Sequence, residues 1–130
     1  MDDLEELALA MPGAAVTRAA DGRPSYAVGG TMFCCHRSQR RDAVDPKTGE
    51  LLDDVLIFRT ADLETKDALL SEGGSPFFTT PHFNGYPAIL LRIKNLRRLK
   101  RDVLFELVAD AWLTKAPKRV AKEWLSEQGL

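Results

Sequence analysis

The stretch PSYAVGGTMFCC, residues 24–35, decides the fold. Its halves, PSYAV and TMFCC, flank Gly29 and Gly30, and paired glycines tolerate the positive φ angles that a tight two-residue hairpin demands. The segment therefore reads as an antiparallel β-hairpin. Its second strand runs into HRSQRRDAV, a turn at DPKTGE, and then LLDDVLIFRT, whose VLIF centre has the β-branched and aromatic content of a buried strand. Residues 31–59 thus read as a long two-stranded ribbon with Asp45 to Gly49 at its tip.

Upstream, Asp2 or Asp3 can cap a first helix whose Leu4, Leu7, Ala8 and Met11 fall on one apolar face, with Pro12 and Gly13 ending it. Downstream, a short helix is expected from a cap near Thr60 or Asp62 to Gly73 and Gly74, with Leu63, Leu69 and Leu70 facing inward. AILLRI, residues 88–93, is apolar on both sides and reads as a central strand. Asn95 can cap a principal helix over about residues 97–114, and Pro117 suits the first turn of a last helix ending before Gly129. The order is helix, three strands, helix, one or two strands, then two helices. That pattern predicts one α+β domain spanning residues 1–130, a mostly antiparallel sheet with helices packed on one face.

The chain has 130 residues, enough to bury roughly two-thirds of its unfolded surface without a disulfide or metal. Its 18 basic and 19 acidic residues leave it nearly neutral, so bulk charge selects no partner. The distribution is uneven: residues 1–91 carry 8 basic and 14 acidic side chains, residues 92–130 carry 10 and 5. Cys34 and Cys35 are adjacent and are the two cysteines of the chain; strand neighbours point to opposite faces and cannot pair, which fits a reducing cytosol. The acidic start MDDLEELALA does not resemble a secretory signal. The longest stretch free of charged residues, 73–91, holds three prolines and three glycines and cannot form a spanning helix. A cytoplasmic protein without a membrane partner is expected.

His82, Asn84 and Tyr86 alternate, so an extended backbone would turn them to one side as a ligand pocket. Pro81, Gly85 and Pro87 argue instead for a turn that delivers the following strand. Cys34, Cys35, His36 and His82 lack the paired spacing of a zinc site, so no metal and no cofactor is expected. Neither a nucleophile elbow nor a phosphate-binding glycine loop occurs, and no catalytic residue is assigned. The clearest charged surface is the last helix, where Lys118, Arg119 and Lys122 project opposite Val120, Ala121, Trp124 and Leu125, preceded by Lys115. Arg37, Arg40, Arg41 and Lys47 give the ribbon a second basic arm, interleaved with Asp42, Asp45 and Glu50. In the principal helix Asp102, Glu106 and Asp110 form an acidic stripe, and Arg98 is expected to pair with Asp102.

Four segments together resemble the MmcQ/YjbR family: ALAMPG at 8–13, YAVGGTMF at 26–33, PHFNG at 81–85 and AWLTKAPKRV at 111–120. The last resembles the family's A-W-x3-A-P-K-R signature. The resemblance implies a compact α+β fold similar to that of type III secretion chaperones, and a double-wing DNA-binding motif not tied to particular residues. Where family members often carry an aromatic, this chain has GYPAI, and its segment from Arg37 to Leu52 is longer than usual. The leading expectation is DNA binding without sequence preference, with phosphate contacts from Lys115, Lys118, Arg119 and Lys122 and from Arg37, Arg40 and Arg41. The alternatives are an adaptor that binds another protein or a peptide, and a small-ligand pocket at His82, Asn84 and Tyr86.

Overall fold

The computed structural model describes residues 2–37, 44–45, 48–80 and 83–129. Helix α1 (Asp2–Ala10) is followed by strands β1 (Ala15–Arg18), β2 (Pro24–Val28), β3 (Thr31–His36) and β4 (Val55–Arg59). Then come α2 (Leu63–Ser71), β5 (Phe77–Phe78), β6 (Ala88–Arg92), a 3-10 helix (Ile93–Arg98), α3 (Arg101–Lys115) and α4 (Lys118–Glu127). The strands form one six-stranded sheet in the order β1-β2-β3-β4-β6-β5, every neighbouring pair antiparallel. This is the expected α+β architecture. No helix among the described residues is long and apolar enough to cross a membrane.

The hairpin closes at Gly29 and Gly30, with φ of 59° and 81°, directly beyond the Val28–Thr31 pair. One irregularity in it matters. Tyr26 lies opposite Cys34 but Ala27 lies opposite Met32, so Phe33 is an extra residue, a β-bulge in β3. Strand side chains alternate between faces, and a bulge shifts that alternation by one. Phe33 and Cys34 therefore both enter the helix-side core, while Met32 and Cys35 emerge on the opposite face.

The helix-side core joins Leu4, Leu7 and Met11 of α1 to Tyr26, Phe33, Phe58 and Leu91 of the sheet, and to Leu104, Leu107, Val108 and Trp112 of α3. Trp112 donates Nε1–H to the Pro12 carbonyl at 3.0 Å and meets Trp124 of α4 edge-on at 5.5 Å. Arg101 ties α3 to α1 through Asp3 at 3.2 Å and Glu6 at 2.9 Å. A second apolar cluster forms on the reverse face from Leu52, Val55, Ile57, Phe83, Ala88 and Leu90. Its cover is the turn that carries Phe83.

Several details depart from expectation. Strand β1 precedes the hairpin; its AVTR sequence is too short and polar to register as a strand until it pairs with β2. The principal helix begins at Arg101, and Asn95 sits inside the preceding 3-10 helix. Ile93, Leu96 and Leu99 recur every three residues, the period of a 3-10 helix, and that winding turns all three toward the core. Arg98 donates to the Gly74 carbonyl at 3.2 Å, across to the end of α2, where pairing with Asp102 was expected. In α2 the cap is Asp62, which accepts from Thr65 N–H at 2.8 Å, yet Leu63 is 44% exposed and Lys66 only 3%. Lys66 is drawn in by two backbone carbonyls, described below. The ribbon tip is as expected: Val44 bridges Leu51, and Asp45 accepts from Gly49 N–H at 2.8 Å.

Candidate functional site

A concavity of the described residues lies on the sheet face away from the helices, a groove of about 660 Å³. Its floor is a cross-strand row: Thr17 opposite Ser25, Ser25 opposite Cys35, Cys35 opposite Ile57. Met32, delivered by the bulge, widens the apolar part of that floor. Phe83 and Tyr86 form one wall, their ring centroids 5.9 Å apart at 62°. Edge-to-face geometry of this kind adds about 0.5–1.5 kcal/mol beyond simple burial.

That wall is held from behind. Lys66 reaches from α2 to donate to the Phe83 carbonyl at 2.5 Å and the Tyr86 carbonyl at 2.8 Å, so two polar groups of the turn are satisfied by one ammonium. Burial holds the Lys66 amine below its usual range. On the groove side, the Arg37 guanidinium lies 4.9 Å from the centre of the Phe83 ring. Arg59 lies 5.3 Å from that of Tyr86, donates to the Tyr86 hydroxyl, and donates Nε–H to the Met32 carbonyl at 2.7 Å. Arginine stacks on aromatic faces in this way because its flat, delocalised cation is weakly hydrated.

Arg23 also lines the groove, an arginine fixed on several sides. Its Nη1 donates to the Arg37 carbonyl at 2.6 Å and the Asp53 carbonyl at 2.7 Å, and its Nε meets Asp21 at 2.8 Å. His36 Nε2 approaches the same Asp53 carbonyl at 3.1 Å. Arg18 also borders the groove, but its head turns to Glu5 of α1 at 2.6 Å. No aspartate or glutamate is among the described residues lining the groove.

Neither thiol of the β3 pair is activated. Burial pushes the Cys35 thiol up to about 11, outweighing the opposite pull of Arg59 and Arg37, so it is a neutral thiol and a poor nucleophile. Burial on the other face likewise raises the Cys34 thiol well above its usual range. The divergence of the two thiols separates them as ligands, and among the described residues no group of three or more His, Cys, Asp or Glu forms a metal cage. A general acid–base pair needs two groups of suitable pKa within reach of a substrate, and no carboxylate borders this concavity among the described residues.

The residues proposed from sequence separate into two sets. Tyr86 and Arg37 meet at the groove, with Arg37 only 6% exposed, while Asn84 points to solvent. His82, Arg40, Arg41 and Lys47 lie outside the described residues. Lys118, Arg119 and Lys122 are exposed on α4 and Lys115 is half-buried at the end of α3. These belong to the helical layer, since α4 packs through Trp124 onto Trp112 and Phe105. They do not merge with Arg37 into one basic surface. Arg119 further meets Glu123 at 3.5 Å, which dilutes the α4 field. Sequence reasoning missed Thr17, Arg23, Ser25, Met32 and Lys66; only register and long-range contacts assemble them.

The chain is 38% identical over 89 residues to Uncharacterized protein Rv2570 of Mycobacterium tuberculosis. It matches Uncharacterized protein Mb2600 of Mycobacterium bovis to the same degree, the match covering 68% of this chain and 64% of the relative. The chain thus spans less than two-thirds of the length of the curated relatives it matches. No family model matches, and no solved structure matches.

Proposed function

We propose that this chain is a non-catalytic binding protein of the MmcQ/YjbR type, whose site is the groove on the open face of the sheet. Its ligand is a small anion with an apolar body. One observation carries the reading: Arg23 and Arg37 line a groove whose floor has an apolar part, Met32, Cys35 and Ile57, beside an aromatic wall, with no carboxylate among the described lining residues. A volume of about 660 Å³ lies within the usual range of small-molecule pockets, roughly 300–1,000 Å³. The four sequence segments quoted above support the family, and the two free thiols suit a reducing cytosol.

A second reading, nucleic acid bound along α4, is supported by the exposed Lys118, Arg119 and Lys122. It is weakened by Glu123 beside them. One amide NMR titration separates the two. Hexanoate is expected to move the signals of Ser25, Cys35 and Ile57 and to bind about tenfold more tightly than neutral hexanamide, the worth of one charge-assisted hydrogen bond. A short DNA duplex is expected to leave those signals in place. If the duplex instead moves the amides of Lys118 to Lys122, in a manner that fades steeply with salt, while hexanoate does nothing, the α4 reading replaces this one.

A further inference from the structure

The clamp on Arg23 narrows the ligand. We infer that the groove is a site for a planar aromatic monocarboxylate, its carboxylate on Arg23 Nη2 and its ring against Phe83 and Tyr86; this rests on the groove being the binding site. Nε of Arg23 is engaged by Asp21 and Nη1 by the carbonyls of Arg37 and Asp53. Nη2 is then the nitrogen of this groove-lining guanidinium that has no partner among the described residues. An arginine held at two of its three nitrogens has lost its rotamer freedom before the ligand arrives, so the remaining donor acts at low entropic cost.

The same clamp sets the charge. Asp21 lies 2.8 Å from Nε and offsets part of the Arg23 cation. A single terminal nitrogen with a partly neutralised charge suits one carboxylate better than a phosphate dianion, which would call for a fork of donors and more positive charge. The wall sets the shape. Phe83 and Tyr86 already interact edge to face, with Arg37 and Arg59 stacked on their rings, and a further flat ring extends that array where a saturated ring of equal size only fills space. Met32 and Ile57 beneath supply apolar contact without polar demands.

Calorimetric titration of the full chain with benzoate, cyclohexanecarboxylate, benzamide and adenosine monophosphate tests this. Benzoate is expected to bind about three- to tenfold more tightly than cyclohexanecarboxylate, the gain of an aromatic contact over plain burial. Benzamide and the nucleotide are expected to bind more weakly than benzoate. Equal affinity for benzoate and cyclohexanecarboxylate would overturn the aromatic assignment and leave the anion groove standing. Tighter binding of the nucleotide would overturn the monocarboxylate in favour of a phosphate ligand. Benzamide binding as well as benzoate would overturn both this inference and the groove reading. Two variants address the anchor: Arg23→Gln is expected to weaken benzoate about tenfold, the loss of a charge-assisted bond. Because that change also removes bonds that hold the loops, Asp21→Asn is the second test. Asp21 is 51% exposed, and its neutralisation is expected to tighten benzoate severalfold at low salt and less at high salt. Unchanged affinity in Asp21→Asn would remove Arg23 from the role.

Discussion

On one face of the sheet Tyr26, Phe33, Phe58 and Leu91 disappear beneath α1, α3 and α4, whereas on the other Ser25, Met32 and Cys35 border an open groove. The same strands supply both sets. Strict alternation would place Met32 and Cys34 on one face and Phe33 and Cys35 on the other. The bulge at Phe33 breaks that rule, gives two consecutive side chains to the core, and hands Met32 and Cys35 together to the groove. The packed core and the open groove thereby lie on opposite faces. The helix side is held by large apolar groups in close packing, and the open side by arginines, a lysine and backbone carbonyls whose satisfaction matters more than their packing.

The division can be broken first where it is strongest. Trp112 is fully buried and spans α3, the Pro12 carbonyl and Trp124. Trp112→Ala is expected to cost about 3–5 kcal/mol in urea unfolding, the usual loss for a buried tryptophan, which removes a large part of the stability of a domain this size. A loss below about 1 kcal/mol would mean the helix side is not the stabilising core. An intermediate effect is expected at the hinge between the faces. Lys66→Met keeps the packing but strips the Phe83 and Tyr86 carbonyls of their donor, at a cost of about 1–3 kcal/mol. The change should also speed hydrogen exchange in the turn at Tyr86 while leaving the hairpin of β2 and β3 protected. Uniform acceleration across the sheet would show that Lys66 supports the whole fold and not the groove wall.

How much of this was legible follows from where the signals lie. The Gly29–Gly30 turn, the apolar face of α1, the tip at Asp45 and the inward Trp124 are local features, and each was readable from neighbours within a few residues. The groove is not local. Arg23 meets the Asp53 carbonyl thirty residues away, Lys66 meets carbonyls 17 and 20 residues away, and Thr17 joins the floor only through the pairing of β1 with β2. A buried lysine has no sequence signature, because its reason for being buried is the backbone of another segment. Tyr86 and Arg37 were singled out from sequence for separate roles, and the fold brings them to one site.

The most direct measurement of the divided faces uses Thr17, an exposed residue at the groove's outer edge whose side chain takes no part in the helix-side core. Thr17→Glu places a carboxylate among the arginines, with Thr17→Gln as the control of equal size. Urea unfolding and benzoate titration of the two variants are then compared. Unfolding free energies are expected within about 0.5 kcal/mol of each other, as for an ordinary surface change, together with at least about tenfold weaker benzoate binding by the glutamate form alone. Equal benzoate binding by the two forms would contradict the groove as the benzoate site.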